Sequence, residues 1–398
     1  MGTSRDLSDP TPGRAHLVDW RGVGYLVTVV TERITSPVEG MHRAILARWF
    51  GMAGAKVEPA RRVVDGLTAS IYQTIRLGGT AVGTAITVGA ELFGEHTGLR
   101  PIWETPNGRY VQSTLNALWG DKFDDDESPL RIELGLRDLD GSLIPTTPAS
   151  LSRAFPEPTG RLVVMLHGLG ETERCWRAGD NSSLTEGLEA DGFSLLPVRY
   201  NTGRAVSDNG SDLADLIEEA RQAWPVPVED IALIGHSMGG LVARSAVGAA
   251  RTSRHGWVDL TGQIVAIGTP HLGTPIEKAV HAVSDGLGLF AESRPLSVFL
   301  DQRSTGIKNL GAGVDDADNS THAIRYHVVA GAVTTEPSHP LGVLVGDLVV
   351  RVGSATGKGR RLQVDSSEML VVGGQDHGGL IHDPRVTTQT RRWLQRTS

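Results

Sequence analysis

The spacing of hydrophobic residues divides the 398-residue chain at about residue 125. Before that point, apolar residues recur every three or four positions, which is the period of an amphipathic helix. Two such stripes are Met41, Ile45, Trp49 and Met52, and Val64, Leu67, Ile71 and Ile75. We therefore predict an N-terminal helical extension over residues 1–125.

An apolar stretch rich in Gly, Ala and Thr runs from Leu77 to Phe93 within this extension. A helix needs about 20 mostly apolar residues to span a bilayer, and this stretch is shorter and poor in leucine. We expect a helix that packs on the rest of the protein through its small residues. Contact with a membrane surface is the alternative for this region.

Strands and helices alternate over residues 126–398. Polar and apolar residues alternate from Arg131 to Arg137, and Asp140-Gly141 then predicts the turn of a hairpin. The later strands that we predict are Arg161–Leu166, Phe193–Pro197, Ile231–Gly235, Gln263–Gly268, Ile324–Ala330 and Met369–Val372. The predicted helices are Leu184–Asp191, Ser207–Trp224, Met238–Ala250 and Asp383–Arg396. This order is typical of an α/β fold with a mostly parallel sheet flanked by helices.

Residues 271–322 lie between two predicted strands and are too long for a simple strand-to-helix connection. We interpret them as a cap or lid insertion. Leu287 and Phe290 in this insertion are candidate substrate-binding residues for an apolar group. The alternative is that both residues belong to the core of the cap.

The sequence Gly235-His-Ser-Met-Gly239 follows a predicted strand and precedes a predicted helix. A serine on such a tight turn has a strained backbone, and glycines two residues before and after it leave room for the turn. The hydroxyl of Ser237 is then presented above the carboxyl edge of the sheet. We predict Ser237 as a catalytic nucleophile.

A serine hydroxyl needs a base and a group that orients the base, in the chain order serine, acid, histidine. His377 lies in a glycine-rich loop after the last predicted strand and is the preferred base, with His382 as the alternative. Asp347 follows the Ile324–Ala330 strand and is the preferred acid, with Glu336 as the alternative.

A serine hydrolase also needs two backbone N–H donors for the oxyanion. Met238, directly after the nucleophile, is predicted to supply one of them. Leu169, in the loop His167-Gly168-Leu169-Gly170 after the first long strand, is predicted to supply the other. We expect His167 and Gly168 of the same loop to contact the substrate.

Composition and charge narrow the classes of function. Lys and Arg number 38 against 46 Asp and Glu, and the net charge of −8 disfavours binding to nucleic acid. The single cysteine, Cys175, cannot form an internal disulfide, and the first 24 residues lack the apolar run of a signal peptide. From these two features we expect a cytoplasmic protein. Because metal-binding and nucleotide-binding motifs are also absent, we expect no metal and no cofactor.

Taken together, these segments make the chain resemble the α/β-hydrolase superfamily, and within it the bacterial lipase/esterase-like, PGAP1-like serine hydrolases. The resemblance covers about residues 130–398 and is carried by Gly160–Leu169, Gly235–Gly239, Ile267–Gly273, Arg303–Lys308, Gly346-Asp347 and the segment from His377 to Val386. It implies the α/β-hydrolase fold for residues 126–398. It also implies Ser237, Asp347 and His377 as nucleophile, acid and base.

The expected function is hydrolysis of a carboxylic ester, acyl or lipid-like, through an acyl-enzyme intermediate. An acyltransferase, or a thioesterase or amidase with the same triad, is the enzymatic alternative, and a non-catalytic scaffold is the alternative from another class. The expected partner is a small-molecule ester or lipid-like substrate. Homo-oligomerisation, or weak contact of the N-terminal helices with a membrane surface, stays open.

Overall fold

The computed structural model describes residues 106–128, 130–177, 183–272, 304–312, 324–336, 347, 350, 352–355 and 368–395, and in the N-terminal part residues 24, 27, 28, 31, 39, 72, 73, 76–86 and 88. The chain forms two compact units. One comprises Met1–Arg109, Asp125–Arg131 and Val280–Arg303; the other comprises Tyr110–Asp124, Ile132–Ala279 and Ser304–Ser398.

In the first unit, residues 76–86 are helical. Glycines of this helix lie against other chain segments, since a Cβ at Gly79 would overlap the side chain of Thr31 and one at Gly83 that of Thr28. Small residues of this helix thus lie close to chain segments of the same unit, while packing of the helix on the rest of the protein stays a prediction. The residues of the two predicted stripes between positions 41 and 75 lie outside the described residues, and the predicted boundary at residue 125 stays a prediction.

The second unit is built on an eight-stranded sheet. Its strands are β1 Gly135–Arg137, β2 Leu143–Ile144, β3 Arg161–Leu166, β4 Ser194–Arg199, β5 Asp230–His236, β6 Thr261–Ile267, β7 Arg325–Ala332 and β8 Glu368–Gly373. The strand order is β2-β1-β4-β3-β5-β6-β7-β8. β1 is antiparallel to β2 and to β4, and β3 to β8 are parallel to one another.

The helices of the described residues flank this sheet or connect its strands. They are α1 Pro106–Asp125, α2 Pro148–Ala154, α3 Ser183–Ala190, α4 Val206–Ala223, α5 Met238–Ser253, α6 Thr305–Ala312, α7 Val352–Ala355 and α8 Pro384–Leu394. Asp383 caps α8, accepting a hydrogen bond from Arg385 N at 2.8 Å. The six later strands and four helices predicted from the sequence are confirmed, with ends that differ by at most a few residues.

Two hydrophobic layers cover the two faces of the sheet. Because successive side chains of a strand point to opposite faces, β3 places Leu162, Val164 and Leu166 in one layer and Val163 and Met165 in the other. Helices α4 and α5 contribute to the first layer, and α3 and α8 to the second. Burial on both faces explains why β3 reads as an unbroken apolar run rather than an alternating one.

Helix α1 packs on loops at the carboxyl edge of the sheet. The Asn201 side chain donates to Gly120 O at 2.9 Å, and Asp121 accepts from both the backbone and the hydroxyl of Thr305 at 2.9 Å. Residues Tyr110–Asp124 therefore belong to the unit that contains the sheet. Among the helices in the described part of the chain, none is both long enough and apolar enough to cross a membrane.

Candidate active site

Ser237 occupies a sharp turn between β5, which ends at His236, and α5, which begins at Met238. Its backbone has φ 51° and ψ −119°, in a region that residues other than glycine seldom adopt. Ser237 N donates to Ile267 O at 2.8 Å and holds the turn to the end of β6. The local structure predicted for the G-x-S-x-G sequence is therefore present.

The glycines on either side of Ser237 are required by close packing. A Cβ at Gly235 would overlap the backbone of Gly239 and Gly240. The first turn of α5 therefore packs so close to the end of β5 that no side chain fits at position 235. A Cβ at Gly239 would overlap Leu166 O on the neighbouring strand. The spacing of these glycines thus has the steric cause that the sequence indicated.

Asp347 and His377 form a buried pair beside the ends of β7 and β8. His377 Nδ1 lies 2.8 Å from Asp347 Oδ2, and His377 N donates to Asp347 O at 3.1 Å. The other carboxylate oxygen accepts from Val350 N at 2.7 Å, and Asp347 is fully buried. Asp347 therefore fixes the imidazole through Nδ1–H, and Nε2 is left as the proton acceptor.

His377 Nε2 is buried and has no hydrogen-bond partner among the described residues. The ring of His377 lies 5.0 Å, between centroids, from the ring of His236, the residue directly before Ser237. All three predicted triad residues thus belong to the carboxyl edge of the sheet. No hydrogen bond joins Ser237 Oγ to His377 Nε2, as is common in hydrolases without a substrate.

The two alternatives weighed for acid and base are placed differently. His382 ends the short 3-10 helix Gly379–His382, and the structure joins Asp347 to His377 instead. Burial and the charge of His236 lower the pKa of His382. Glu336 is exposed in the turn after β7, where its backbone oxygen accepts from Thr334.

The loop after β3 arranges its N–H groups for different partners. Gly168 N donates to Glu171 Oε2 at 2.7 Å, and Gly170 N donates to Thr202 Oγ1 at 3.2 Å. Leu169 N, between them, has no hydrogen-bond partner among the described residues, and neither has Met238 N. The N–H groups of Leu169 and Met238 are therefore available, and their role as oxyanion donors stays a prediction.

The remaining predicted binding residues divide into two groups. The His167 side chain is fully buried and stacks on Tyr200 at 4.5 Å between ring centroids, and burial lowers its pKa. The His167 side chain therefore packs beneath the loop in the protein interior. Contact of His167 and Gly168 with a substrate stays a prediction. Leu287 and Phe290, with most of the predicted cap, lie outside the described residues.

Sequence reasoning missed Glu171, which forms a second carboxylate–imidazole pair with His236. Glu171 Oε2 lies 2.9 Å from His236 Nδ1 and is the same oxygen that accepts from Gly168 N. Burial alone would raise the pKa of Glu171, but the charge and hydrogen bond of His236 outweigh it and lower the pKa to about 2. Its position three residues after Gly168 was the only available signal, because its partner lies 65 residues away.

Within the described residues, no group of three His, Cys, Asp or Glu side chains is arranged to hold a metal ion.

A strained serine at the end of a central parallel strand, followed in the chain by a carboxylate and a histidine in contact with each other, is the arrangement of α/β-hydrolase enzymes. The sheet order and the turn at Ser237 give this protein the α/β-hydrolase fold. The predicted fold class, a mostly parallel sheet flanked by helices, is therefore confirmed, while the cap insertion and the N-terminal helical extension stay predictions.

Family comparison agrees with this class. Residues 157–306 match the family described as "Putative serine esterase (DUF676)". The matched range contains β3 to β6 and the turn at Ser237, and it ends before Asp347 and His377. No curated protein matches the chain in sequence.

Several solved structures are distantly similar to the chain. A Bacillus licheniformis lipase in its propeptide form shows 18% identity over 61% of this chain and 52% of its own, with a TM-score of 0.46. A metagenomic carboxyl esterase shows 17% identity, coverage of 59% and 74%, and a TM-score of 0.37. A Pyrococcus furiosus esterase shows 15% identity over 60% of this chain and 82% of its own, with a TM-score of 0.38. The chain spans about half the length of the lipase, and similarity at this level does not specify a substrate.

Proposed function

We propose that the protein hydrolyses carboxylic esters with a partly apolar acyl group, through an acyl-enzyme on Ser237. The observation that carries this proposal is the backbone of Ser237, at φ 51° and ψ −119° between β5 and α5. A strained residue of this kind persists only where the surrounding structure enforces it, and nucleophiles of this fold occupy such a turn.

In the first half-reaction, Ser237 Oγ attacks the carbonyl carbon of the ester while its proton passes to His377 Nε2. The N–H groups of Leu169 and Met238 bind the oxyanion of the tetrahedral intermediate, and each such donor contributes about 3–4 kcal/mol in enzymes where one was removed. When the intermediate collapses, the bond to the leaving oxygen breaks, and His377 returns the proton to the departing alcohol.

In the second half-reaction, water attacks the acyl-enzyme. His377 takes one proton from the water, the bond to Ser237 Oγ breaks, and the proton returns to Ser237 as the carboxylic acid leaves. Asp347 keeps Nδ1 of His377 protonated in both halves and stabilises the imidazolium that forms transiently.

Chemical labelling and hydrolysis together test this proposal. A fluorophosphonate probe is expected to label Ser237, and the purified protein is expected to hydrolyse p-nitrophenyl esters of graded acyl length. Ser237→Ala should abolish labelling and lower kcat by about 10⁴–10⁶. The control Ser207→Ala removes an exposed serine hydroxyl near the start of α4 and should retain both activities. Near-normal hydrolysis by the Ser237→Ala protein would reject the proposal.

A competing alcohol separates hydrolysis from acyl transfer, which uses the same first half-reaction. Hydrolysis predicts that the free acid remains the main product when an alcohol is added at millimolar concentration. A new ester as the main product would assign the transferase alternative instead.

A further inference from the structure

We propose that Glu171 and His236 form a carboxylate–imidazolium pair that positions both halves of the reaction centre, the oxyanion loop and the base His377. Neither residue touches the reacting atoms in this proposal, so both are positioning residues. The inference rests on the proposed function, because it concerns the same serine and the same oxyanion.

The hydrogen bonds of His236 point to a doubly protonated ring. His236 Nδ1 faces Glu171 Oε2 at 2.9 Å, and His236 Nε2 faces the backbone oxygen of His377 at 3.2 Å. A backbone carbonyl only accepts hydrogen bonds. The carboxylate oxygen already accepts from Gly168 N at 2.7 Å, which favours its ionised form. Both ring nitrogens therefore donate, and the ring carries a positive charge.

Charged neighbours support this assignment. Burial lowers the pKa of His236, but the carboxylate of Glu171, its hydrogen bond, the His377 carbonyl and the charge of Asp347 outweigh burial and raise it. The side chain of His236 is 1% exposed and that of Glu171 is 28% exposed, so solvent screens their attraction only partly. The other titratable groups that face the pair are His167, Cys175, Tyr200, His377 and His382.

Glu171 fixes the conformation of the oxyanion loop. Its carboxylate accepts a hydrogen bond from Gly168 N, which leaves Leu169 N–H for the substrate. Its backbone oxygen accepts a hydrogen bond from the Ser113 hydroxyl of α1. A Cβ at Gly168 would lie 2.9 Å from Glu171 Oε2 and 3.1 Å from Ser237 Cβ. The carboxylate, the loop and the nucleophile are thus packed against one another without spare room.

His236 extends this constraint to the base. Its Nε2–H donates to the backbone oxygen of His377, whose own N–H donates to Asp347 O. One continuous set of hydrogen bonds therefore links Gly168, Glu171, His236, His377 and Asp347. Misplacement of a reacting group by about 1 Å can cost about 10²-fold in rate, so a fixed link between donor loop and base has kinetic value.

The test replaces the carboxylate by an amide of the same shape. Glu171→Gln should lower kcat by about 10–100-fold, with KM within about threefold of the wild-type value, because supporting residues of a site typically have effects of this size. The fall in activity at alkaline pH should also move to lower pH, because the amide no longer holds the proton on His236. Glu189→Gln, at an exposed position of α3, is the charge-matched control and should behave as wild type.

A measurement on the wild-type protein makes the test independent of how any variant folds. Histidine nitrogen NMR over a pH titration should show that His236, assigned by its absence in His236→Gln, loses its second ring proton at a higher pH than the ordinary imidazole pKa of 6.5. A His236 ring that is already mostly neutral at pH 6.5 would overturn the proposal. So would folded Glu171→Gln protein with wild-type kcat and an unchanged pH profile.

The outcomes distinguish this inference from the function on which it rests. If the wild-type protein fails to hydrolyse esters and escapes fluorophosphonate labelling, the proposed function fails. If the wild-type protein is active and labelled while Glu171→Gln equals it in both rate and pH profile, only the role of the Glu171–His236 pair fails.

Discussion

Two carboxylate–imidazole pairs lie side by side at the carboxyl edge of the sheet, and they use the same two chemical groups differently. In the Asp347–His377 pair, the carboxylate holds Nδ1 and Nε2 has no partner among the described residues. In the Glu171–His236 pair, both ring nitrogens face oxygen acceptors. The two rings are 5.0 Å apart between centroids.

The second ring nitrogen decides what a buried imidazole does. A ring with one nitrogen unoccupied can take a proton and return it, as general base catalysis requires. A ring with both nitrogens donating to fixed acceptors keeps its charge and acts as a cross-link between chain segments. Residue type and proximity to a carboxylate are the same in both cases, so neither alone assigns the base.

The largest expected effect comes from breaking the first pair. Asp347→Asn should lower kcat by about 10⁴-fold, as the equivalent change does in other triads, because the amide no longer selects the Nδ1–H tautomer of His377. Ester hydrolysis by the purified variant measures the effect, and the melting temperature checks that it folds. A loss smaller than tenfold would mean that another group orients the base.

A smaller effect is expected from crowding the second pair. Gly168→Ala places a methyl group 2.9 Å from Glu171 Oε2, so either the loop or the carboxylate must move, and kcat should fall by about 10–100-fold. Gly378→Ala is the matched control beside His377. Its Cβ would meet no atom closer than Asp376 Oδ1 at 4.0 Å, and its φ of −73° suits alanine. Equal losses in both variants would contradict the tight packing inferred for Gly168.

The pH dependence should show where the second pair is intact. The pKa of Glu171 is lowered to about 2, so its contribution to stability is present above the ordinary value of 4.5 and is lost as pH falls toward 2. The pKa of His236 is raised, so its contribution is present below the ordinary value of 6.5 and is lost as pH rises through the raised value. We expect kcat to decline several-fold on the alkaline side. A rate that stays level to pH 10 would contradict this expectation.

The smallest expected effect on activity concerns a buried histidine without a carboxylate. Both ring nitrogens of His271 lack hydrogen-bond partners among the described residues, and burial and the charge of Arg244 lower its pKa to about 3. In the unfolded chain, His271 binds a proton below about pH 6.5. The free energy of unfolding should therefore decrease as the pH is lowered from 6.5 to 3, by up to about 1.4 kcal/mol per pH unit. His271→Asn should flatten this slope in urea unfolding measured from pH 4 to pH 7, with little change in kcat. Parallel slopes for the two proteins would argue against a neutral, buried His271.

The strand pattern and the turn at Ser237 were predictable because their signals are local. The apolar run of β3, the glycines around Ser237 and the Asp383-Pro384 helix start each act on neighbours within a few residues. The chain order of serine, acid and histidine then limited the partners of Ser237 to a few downstream residues. The choice of His377 over His382, and of Asp347 over Glu336, stayed open at that point, because it depends on loop paths that no local pattern specifies.

Local sequence patterns specify the α/β architecture, the strained position of Ser237 and a short set of candidate partners, since periodicity and steric limits at glycine act along the chain. Which carboxylate meets which imidazole depends on the folded chain, because Glu171 and His236 are 65 positions apart and Asp347 and His377 are 30 apart. Contacts at such separations depend on how the sheet brings strand ends together. That arrangement turned one histidine into the candidate base and left its neighbour with both nitrogens occupied.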